Sequence, residues 1–411
     1  MKDYTKKNIK LLRPSATLVI NEKSKELISK GKKVFKFGFG QSPFPIPQSI
    51  VSELKKNAHK KEYLPIQGSI KLRQSIASYI NLKTNNSFKE ENIIISPGSK
   101  EMMFLLHLGF DGDILLPTPS WVSYEPHAII GRNKFHWLET SRENNWYPTP
   151  KEIEEKIKTL KTKNILMILN SPNNPSGTCC KNLEQIAKIS KKYGIIILSD
   201  EIYTELSFNR KYESISKFYP EGTIISSGLS KWCGAGGWRL GFFAVPKKLE
   251  SILNMLKVLS SESFTSVSSP IQNAAIEAFT GDHSDYLNKS TAILGAVGNY
   301  VYDKLKSNKV LVDKPQGGFY LMPEFTNTKF KTSEEMCEDI LKKSGVALLP
   351  GSDFGFKPNK MLARLSYTDF DGDSFLKSME SSKKPNTDDI KKHAPNVVLG
   401  IEKLVAWSKG I

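Results

Sequence analysis

The sequence predicts an α/β protein whose larger part is a mostly parallel mixed sheet between helices, with a smaller α+β part attached. Three observations predict it. Short apolar runs recur through the middle of the chain, at Asn92–Ser96, Asp113–Leu116, Asn164–Leu169, Gly194–Ser199, Thr223–Ser226 and Gly241–Val245. Most are followed by turn residues and then by a helical period, as in Ser99–Leu108 and Leu183–Tyr193,. With 411 residues, 39% of them hydrophobic and 25% charged, the chain exceeds one ordinary core and has a globular composition,.

The character changes after Pro246. Residues 247–260 and 270–306 read as helices, and strand-like Val310–Val312 and Gly318–Pro323 follow. A helix near 333–343 leads to strands at Val346–Leu349 and Leu362–Tyr367 and to a closing helix near 395–409. Fewer strands at hairpin-like spacing predict the smaller α+β part. With no internal repeat and no low-complexity linker, the two parts are expected to pack directly on each other.

Several classes are excluded. No stretch approaches the ~20 apolar residues of a transmembrane helix. The apolar stretch Leu11–Ile20 is interrupted by Arg13 and Pro14, so it is no signal peptide and a cytoplasmic location is expected,. Cys179 and Cys180 are adjacent, Cys233 and Cys337 stand alone, and the histidines form no H-x-x-x-H pair, so neither disulfides nor a metal site is expected,. The net charge of +17 raises the possibility of a nucleic-acid partner,. Its lysines, however, are spread along the chain without a basic run interleaved with aromatics, which reads as a solvated surface. Of the 59 basic residues only seven are arginine: Arg13, Arg73, Arg132, Arg142, Arg210, Arg239 and Arg364. Where arginine is scarce, a planar bidentate fork has a stated use.

In an α/β sheet, ligands sit beyond the carboxyl ends of the strands, so the residues after each run carry the functional reading. Ser96-Pro97-Gly98-Ser99-Lys100-Glu101 opens a helix, and free N–H groups there suit a phosphate or serve as an ordinary cap. No G-x-x-x-x-G-K-[ST] is present, and in Gly234–Arg239 the last glycine of G-x-G-x-x-G is replaced, so a nucleotide site is unsupported. Asn170–Gly177 reads as a turn. Asp200 ends a buried strand, where a carboxylate needs something cationic to meet it. Lys231 follows a strand among small residues, with Arg239 eight positions on, and is a candidate nucleophile with an anion clamp.

These residues together resemble the fold-type I pyridoxal-phosphate (PLP) aminotransferases of classes I and II. Ser230–Gly241 matches the family's S-K-x-x-x-x-x-G-W-R-x-G run, Asn170–Gly177 its N-x-P-x-N-P-[ST]-G, and Ser199–Tyr203 its S-D-E-x-Y. Leu12–Thr17 and Gly38–Gln41 look like the N-terminal arm and first strand. Lys61–Ile66, Gly317–Tyr320, Leu349–Gly351 and Ala363–Tyr367 match in order, so the resemblance covers nearly the whole chain.

The resemblance implies roles. Lys231 would hold PLP covalently and move the proton at the substrate Cα; Asp200 would pair with the pyridine nitrogen; Tyr203 and Asn174 would bond the ring oxygen; Trp121 would stack on the ring. Gly98, Ser99, Lys100, Ser230 and Arg239 would hold the phosphate, although Gly228 stands where some relatives have a serine. Tyr63 would reach the phosphate of a neighbouring subunit, which implies a homodimer with shared active sites. Arg364, helped by a backbone N–H near Gly40 and by Asn174, would clamp the α-carboxylate of the amino acid and 2-oxo acid substrates. In the bacterial aspartate aminotransferase subgroup with a P-S-A-T arm and a G-x-K turn, Lys100, Ser15 and Thr17 would meet a distal carboxylate, implying an acidic donor such as aspartate and 2-oxoglutarate as acceptor. No basic residue stands at Ser260–Phe264, where other aspartate enzymes bring an arginine from the partner. An aromatic or small neutral donor and a C–S lyase are the alternatives. A PLP-sensing regulator is disfavoured because the residues before Gly40 match the aminotransferase arm. A dead scaffold is disfavoured because Lys231, Asp200 and Arg364 are all present. Residues 45–295 are the expected large PLP-binding domain; 1–44 (arm and part of the small domain) and 296–411 form the small one. Cys233 reads as packing.

Overall fold

The computed structural model describes residues 4–14, 16–380 and 384–410. Its centre is a seven-stranded sheet of β1 (Ile93–Ser96), β2 (Asp113–Pro117), β3 (Phe135–Leu138), β4 (Ile165–Asn170), β5 (Ile196–Asp200), β6 (Thr223–Gly228) and β7 (Gly241–Ala244). Their order is β1-β7-β6-β5-β4-β2-β3. All neighbours are parallel except β7, which runs antiparallel to both β1 and β6. The mostly parallel mixed sheet expected from the apolar runs is therefore present. It includes one strand, β3, that those runs did not reveal.

Alternation along each strand shows why both faces are covered. Leu166 and Ile168 of β4, Leu198 of β5, Ile224 of β6 and Phe243 of β7 share one apolar cluster with helices 99–109, 124–131 and 250–263. Their neighbours Met167, Leu169 and Ile197 join a second cluster with helix 183–193 on the opposite face. Ile225, Phe242 and Ile93 join a third on that same side, with helices 70–84 and 269–280. Period-2 side chains that are apolar at every position require such double cover.

The C-terminal part holds β8 (Val310–Leu311), β9 (Tyr320–Leu321), β10 (Glu324–Phe325), β11 (Leu349–Pro350) and β12 (Ala363–Ser366). β12 lies between β11 and β9, and β8 pairs with β10. The stretch read as one helix over 270–306 is two, Ser269–Thr280 and Ser284–Leu305, broken at Gly281. Gly38–Gln41 forms no strand; only Phe35 bridges to Val346. Its carbonyls are spent elsewhere, Gly38 O on Arg364 and Gly40 O on Lys231. The largest apolar cluster runs without a break from β1 and β7 through helix 284–305 to helix 395–409. Among the described residues no helix is long and apolar enough to cross a membrane.

Candidate active site

Strand register assembles the site. Asn170 at the end of β4 pairs with Asp200 at the end of β5, and Asp200 pairs with Ser226 of β6. β7 returns antiparallel, so Gly228 faces Gly241, and Gly241 also faces Ser96 of β1. Motifs distant in sequence thus meet along one end of the sheet.

Asp200 is the charge at its centre. Its carboxylate is buried, accepts from Tyr124 Oη at 2.6 Å and from Ile202 N at 3.3 Å, and has no ion-pair partner among the described residues. Burial raises its pKa to about 6, against the hydrogen bonds from Tyr124 and Ile202 and the positive charge of Lys231,. Burial, and next the charge of Asp200, push the Tyr124 phenol well above its ordinary pKa, so it stays a donor. Asn170 ties the neighbouring loop to this strand end. Its Nδ2 donates to Asp200 O at 2.8 Å, and its Oδ1 accepts from Asn174 N at 2.7 Å.

Lys231 Nζ donates to Gly40 O at 2.9 Å and lies over the rings of Phe319 and Tyr203, 5.5 and 5.6 Å from their centroids. Tyr203 and Tyr320 share a hydroxyl contact of 3.1 Å, and burial first, then Tyr320, raise the Tyr203 pKa well above ordinary.

Arg364, on β12, is 3% exposed. Its Nη1 donates to Asn174 Oδ1 at 3.0 Å and its Nη2 to Gly38 O at 2.8 Å, with the guanidinium between the rings of Tyr320 and Phe354. The buried Nε has no partner. An unpaired donor on a buried cation is costly unless a ligand completes it, and a carboxylate would.

At the other end of the site, helix 99–109 begins at Gly98 without a side-chain cap. Gly98 has φ 83°, and any side chain there would strike the Arg239 guanidinium. Arg239 donates to Gly236 O at 3.0 Å and to Pro97 O at 3.2 Å. Its charge, with uncapped N–H groups opposite, makes an anion cradle. Ser99 and Ser230 are half-buried beside it. A Cβ at Gly228 would come within 2.6 Å of Leu240 O and 2.8 Å of the Gly241 Cα. The backbones meet too closely there for a side chain. Lys100 is solvent-accessible, yet its Nζ lies 5.5 Å over the Trp121 ring, and surrounding protein first and Arg239 second pull its pKa down. Trp121 is held edge-on by Tyr124 and His127, with centroids at 5.4 and 6.3 Å.

Lys231, Asp200, Tyr203, Asn174, Gly40 and Arg364 are thus linked through these contacts and the Gly38–Gly40 segment, with Gly98, Ser99, Lys100, Ser230, Arg239 and Trp121 around the helix start. Tyr63 stands apart: it is 89% exposed and makes no hydrogen bond among the described residues. Ser15 lies outside the described residues, as does the Thr17 side chain. Tyr124, Tyr320 and Asn170 have no role assigned from the sequence, although Asn170 and Tyr320 stand inside the matched runs Asn170–Gly177 and Gly317–Tyr320. A tyrosine one helical turn after Trp121 was the available signal for Tyr124.

The residues fit PLP on three counts. The cradle takes a phosphate, the buried Asp200 carboxylate lacks the cation a protonated pyridine nitrogen would supply, and the Asn174 amide nitrogen makes no protein hydrogen bond among the described residues.

The sequence profile of the family described as "Aminotransferase class I and II" matches residues 32–371. Aspartate aminotransferases of Geobacillus stearothermophilus and Bacillus subtilis (strain 168) are 33% and 32% identical over 377 residues, covering 88% of this chain and 93% of theirs. Among solved structures, aspartate aminotransferase from Thermus thermophilus with maleate superposes with a TM-score of 0.84 at 23% identity, over 98% of this chain and 100% of that one. Alanine aminotransferase from Pyrococcus furiosus gives 0.85 at 24%, over 99% and 100%. At these identities the superpositions show a common fold, the fold-type I architecture.

A raised carboxyl pKa has a signed consequence. The folded, cofactor-free protein holds a proton on Asp200 up to about pH 6 that the unfolded chain releases near the ordinary carboxyl value, so ionisation costs stability as pH rises between the two,. Asp200→Asn is expected to be at least as stable as the parent in cofactor-free protein above pH 6. The difference should shrink as pH falls toward 4, which urea unfolding across that range checks.

Proposed function

Because the chain belongs to the class I and II aminotransferases, we propose that this PLP-dependent enzyme moves the amino group of an acidic L-amino acid, aspartate foremost, to a 2-oxo acid such as 2-oxoglutarate. The observation that carries the reading is Arg364: a buried guanidinium against two rings with one donor unpaired, bonded to the same Gly38–Gly40 segment as Lys231. The acidic donor is supported by Lys100, an ammonium over Trp121 near Arg239, and by relatives named as aspartate aminotransferases.

When bound, PLP supplies a carbonyl carbon that takes the amino group and a ring that withdraws electrons from the substrate Cα. Gly98, Ser99, Lys100, Ser230 and Arg239 would hold its phosphate, Trp121 one ring face, and Tyr203 and Asn174 the ring oxygen. Asp200, kept ionised above about pH 6, would hold positive charge at the ring nitrogen. Arg364 fixes the substrate α-carboxylate, which turns the Cα–H bond toward Lys231 Nζ, and Lys231 takes that proton. Both the Arg364 guanidinium and the proton acceptor Lys231 donate to Gly38–Gly40 carbonyls on one short segment, so substrate orientation and proton transfer share a scaffold.

We place the active unit in a homodimer. Tyr63, exposed in the single chain, would complete the phosphate site of a second copy.

Three outcomes follow. The purified protein with PLP should show a visible absorption band that L-aspartate bleaches and 2-oxoglutarate restores, and that Lys231→Ala lacks. A band indifferent to aspartate would redirect the donor toward aromatic or small neutral amino acids. Lys100→Met should lower kcat/KM for aspartate by roughly 10- to 100-fold, the scale of one lost charge-assisted contact, and change it much less for alanine. Mixing inactive Lys231→Ala chains with Tyr63→Ala chains should recover activity through hybrid dimers; absence of recovery despite subunit exchange would rule out a shared site.

A further inference from the structure

After β3 the chain makes a tight turn over residues 141–147 in which two successive side-chain-bearing residues, Asn145 (φ 56°) and Trp146 (φ 65°), take the left-handed backbone conformation. Such residues avoid it unless their surroundings over-determine it. Here they do. Trp146 N bonds Ser141 O at 2.9 Å, Asn145 N bonds Arg142 O at 3.0 Å, and Thr178 Oγ1 donates to Asn145 O at 2.7 Å.

The strained turn drives the Trp146 ring into a small apolar cluster with Met322, Leu349, Phe354 and Leu362. All four flank the Arg364 clamp. Leu349 is its cross-strand partner on β11, Leu362 lies two residues before it, Phe354 is one of its ring platforms, and Met322 lies two residues after the other, Tyr320. The indole Nε1 donates to Asp313 Oδ2 at 2.8 Å, the oxygen that also accepts Arg142 Nη1 at 2.6 Å. Arg142 lies 5.2 Å over the indole and reaches Glu324 through Nη2 at 3.3 Å. The turn thus grips the chain at Asp313 and Glu324, on either side of Tyr320. This gives one of the scarce arginines a use for its fork.

We propose that Arg142, Trp146 and Asp313 are positioning residues for substrate-carboxylate recognition: they hold Tyr320 and Phe354 so that Arg364 stands between them at the angle a carboxylate needs. None of the three touches the reacting atoms. The inference rests on the reading that Arg364 takes the α-carboxylate.

The test uses the PLP-loaded protein and succinate, a non-reacting dicarboxylate, with binding measured by calorimetry. Trp146→Phe keeps an aromatic side chain, smaller than the indole, and removes the N–H; Asp313→Asn removes the shared charge. Either should weaken succinate by about tenfold, the scale of one hydrogen bond to a charged group, and raise KM for the amino-acid donor by a similar factor. The visible band should stay unchanged and kcat should hold within about threefold. Arg142→Lys should recover part of the loss seen in Arg142→Ala. Parent-like succinate affinity in both variants, with Arg364→Lys deficient, would overturn the proposal and leave the clamp reading standing. Parent-like affinity in Arg364→Lys would remove the clamp reading and the proposal with it. If Trp146→Phe fails to fold, Asp313→Asn decides alone.

Discussion

The Asp200 carboxylate is placed where water cannot reach it, at the end of the central strand, and much of the surrounding arrangement answers that placement. Tyr124 donates to it from the start of helix 124–131, Asn170 fixes the backbone beneath it, and the Ile202 N–H closes the turn that carries it. These donors moderate the cost of burial without supplying a positive charge. A buried anion left short of a cation is a standing attraction for a protonated ring nitrogen, so the same interaction that burdens the empty fold favours the loaded one.

Cations are distributed around that anion in two groups. Arg239 and Lys100 stand at the helix start, and Arg364 stands beyond Lys231. The site therefore offers positive charge at both ends of a ligand and negative charge in the middle. A molecule with a phosphate at one end, a carboxylate at the other and a cationic nitrogen between matches this order. A molecule without a carboxylate would leave Arg364 with an unpaired buried donor, which is how such a site rejects it.

Most of this order was legible in the sequence because parallel strands end in short, characteristic runs: Asn170–Gly177, Ser199–Tyr203 and Ser230–Gly241 are turn chemistry on the carboxyl side of apolar stretches. What escaped were contacts made by backbone or by residues without a local signature. Gly38 and Gly40 read as part of a strand, yet their carbonyls face Arg364 and Lys231, a use no side chain announces. β3 escaped because Phe135–Leu138 lies at the sheet edge and is only partly buried, so its pattern is not continuously apolar. The Arg142–Trp146 turn escaped because left-handed backbone at non-glycine residues is a tertiary outcome with no local cue.

The unbroken apolar cluster has a consequence for how the chain is made. Phe35 and Phe37, near the start, belong to the same cluster as Ile401 and Leu404, near the end, and Gly400 lies so close to both phenylalanine rings that a methyl group would not fit. The face of these aromatics that meets Gly400 therefore stays uncovered until helix 395–409 has been synthesised. Contacts of such long sequence separation form late, and apolar surface that waits for a distant partner is where aggregation competes with folding.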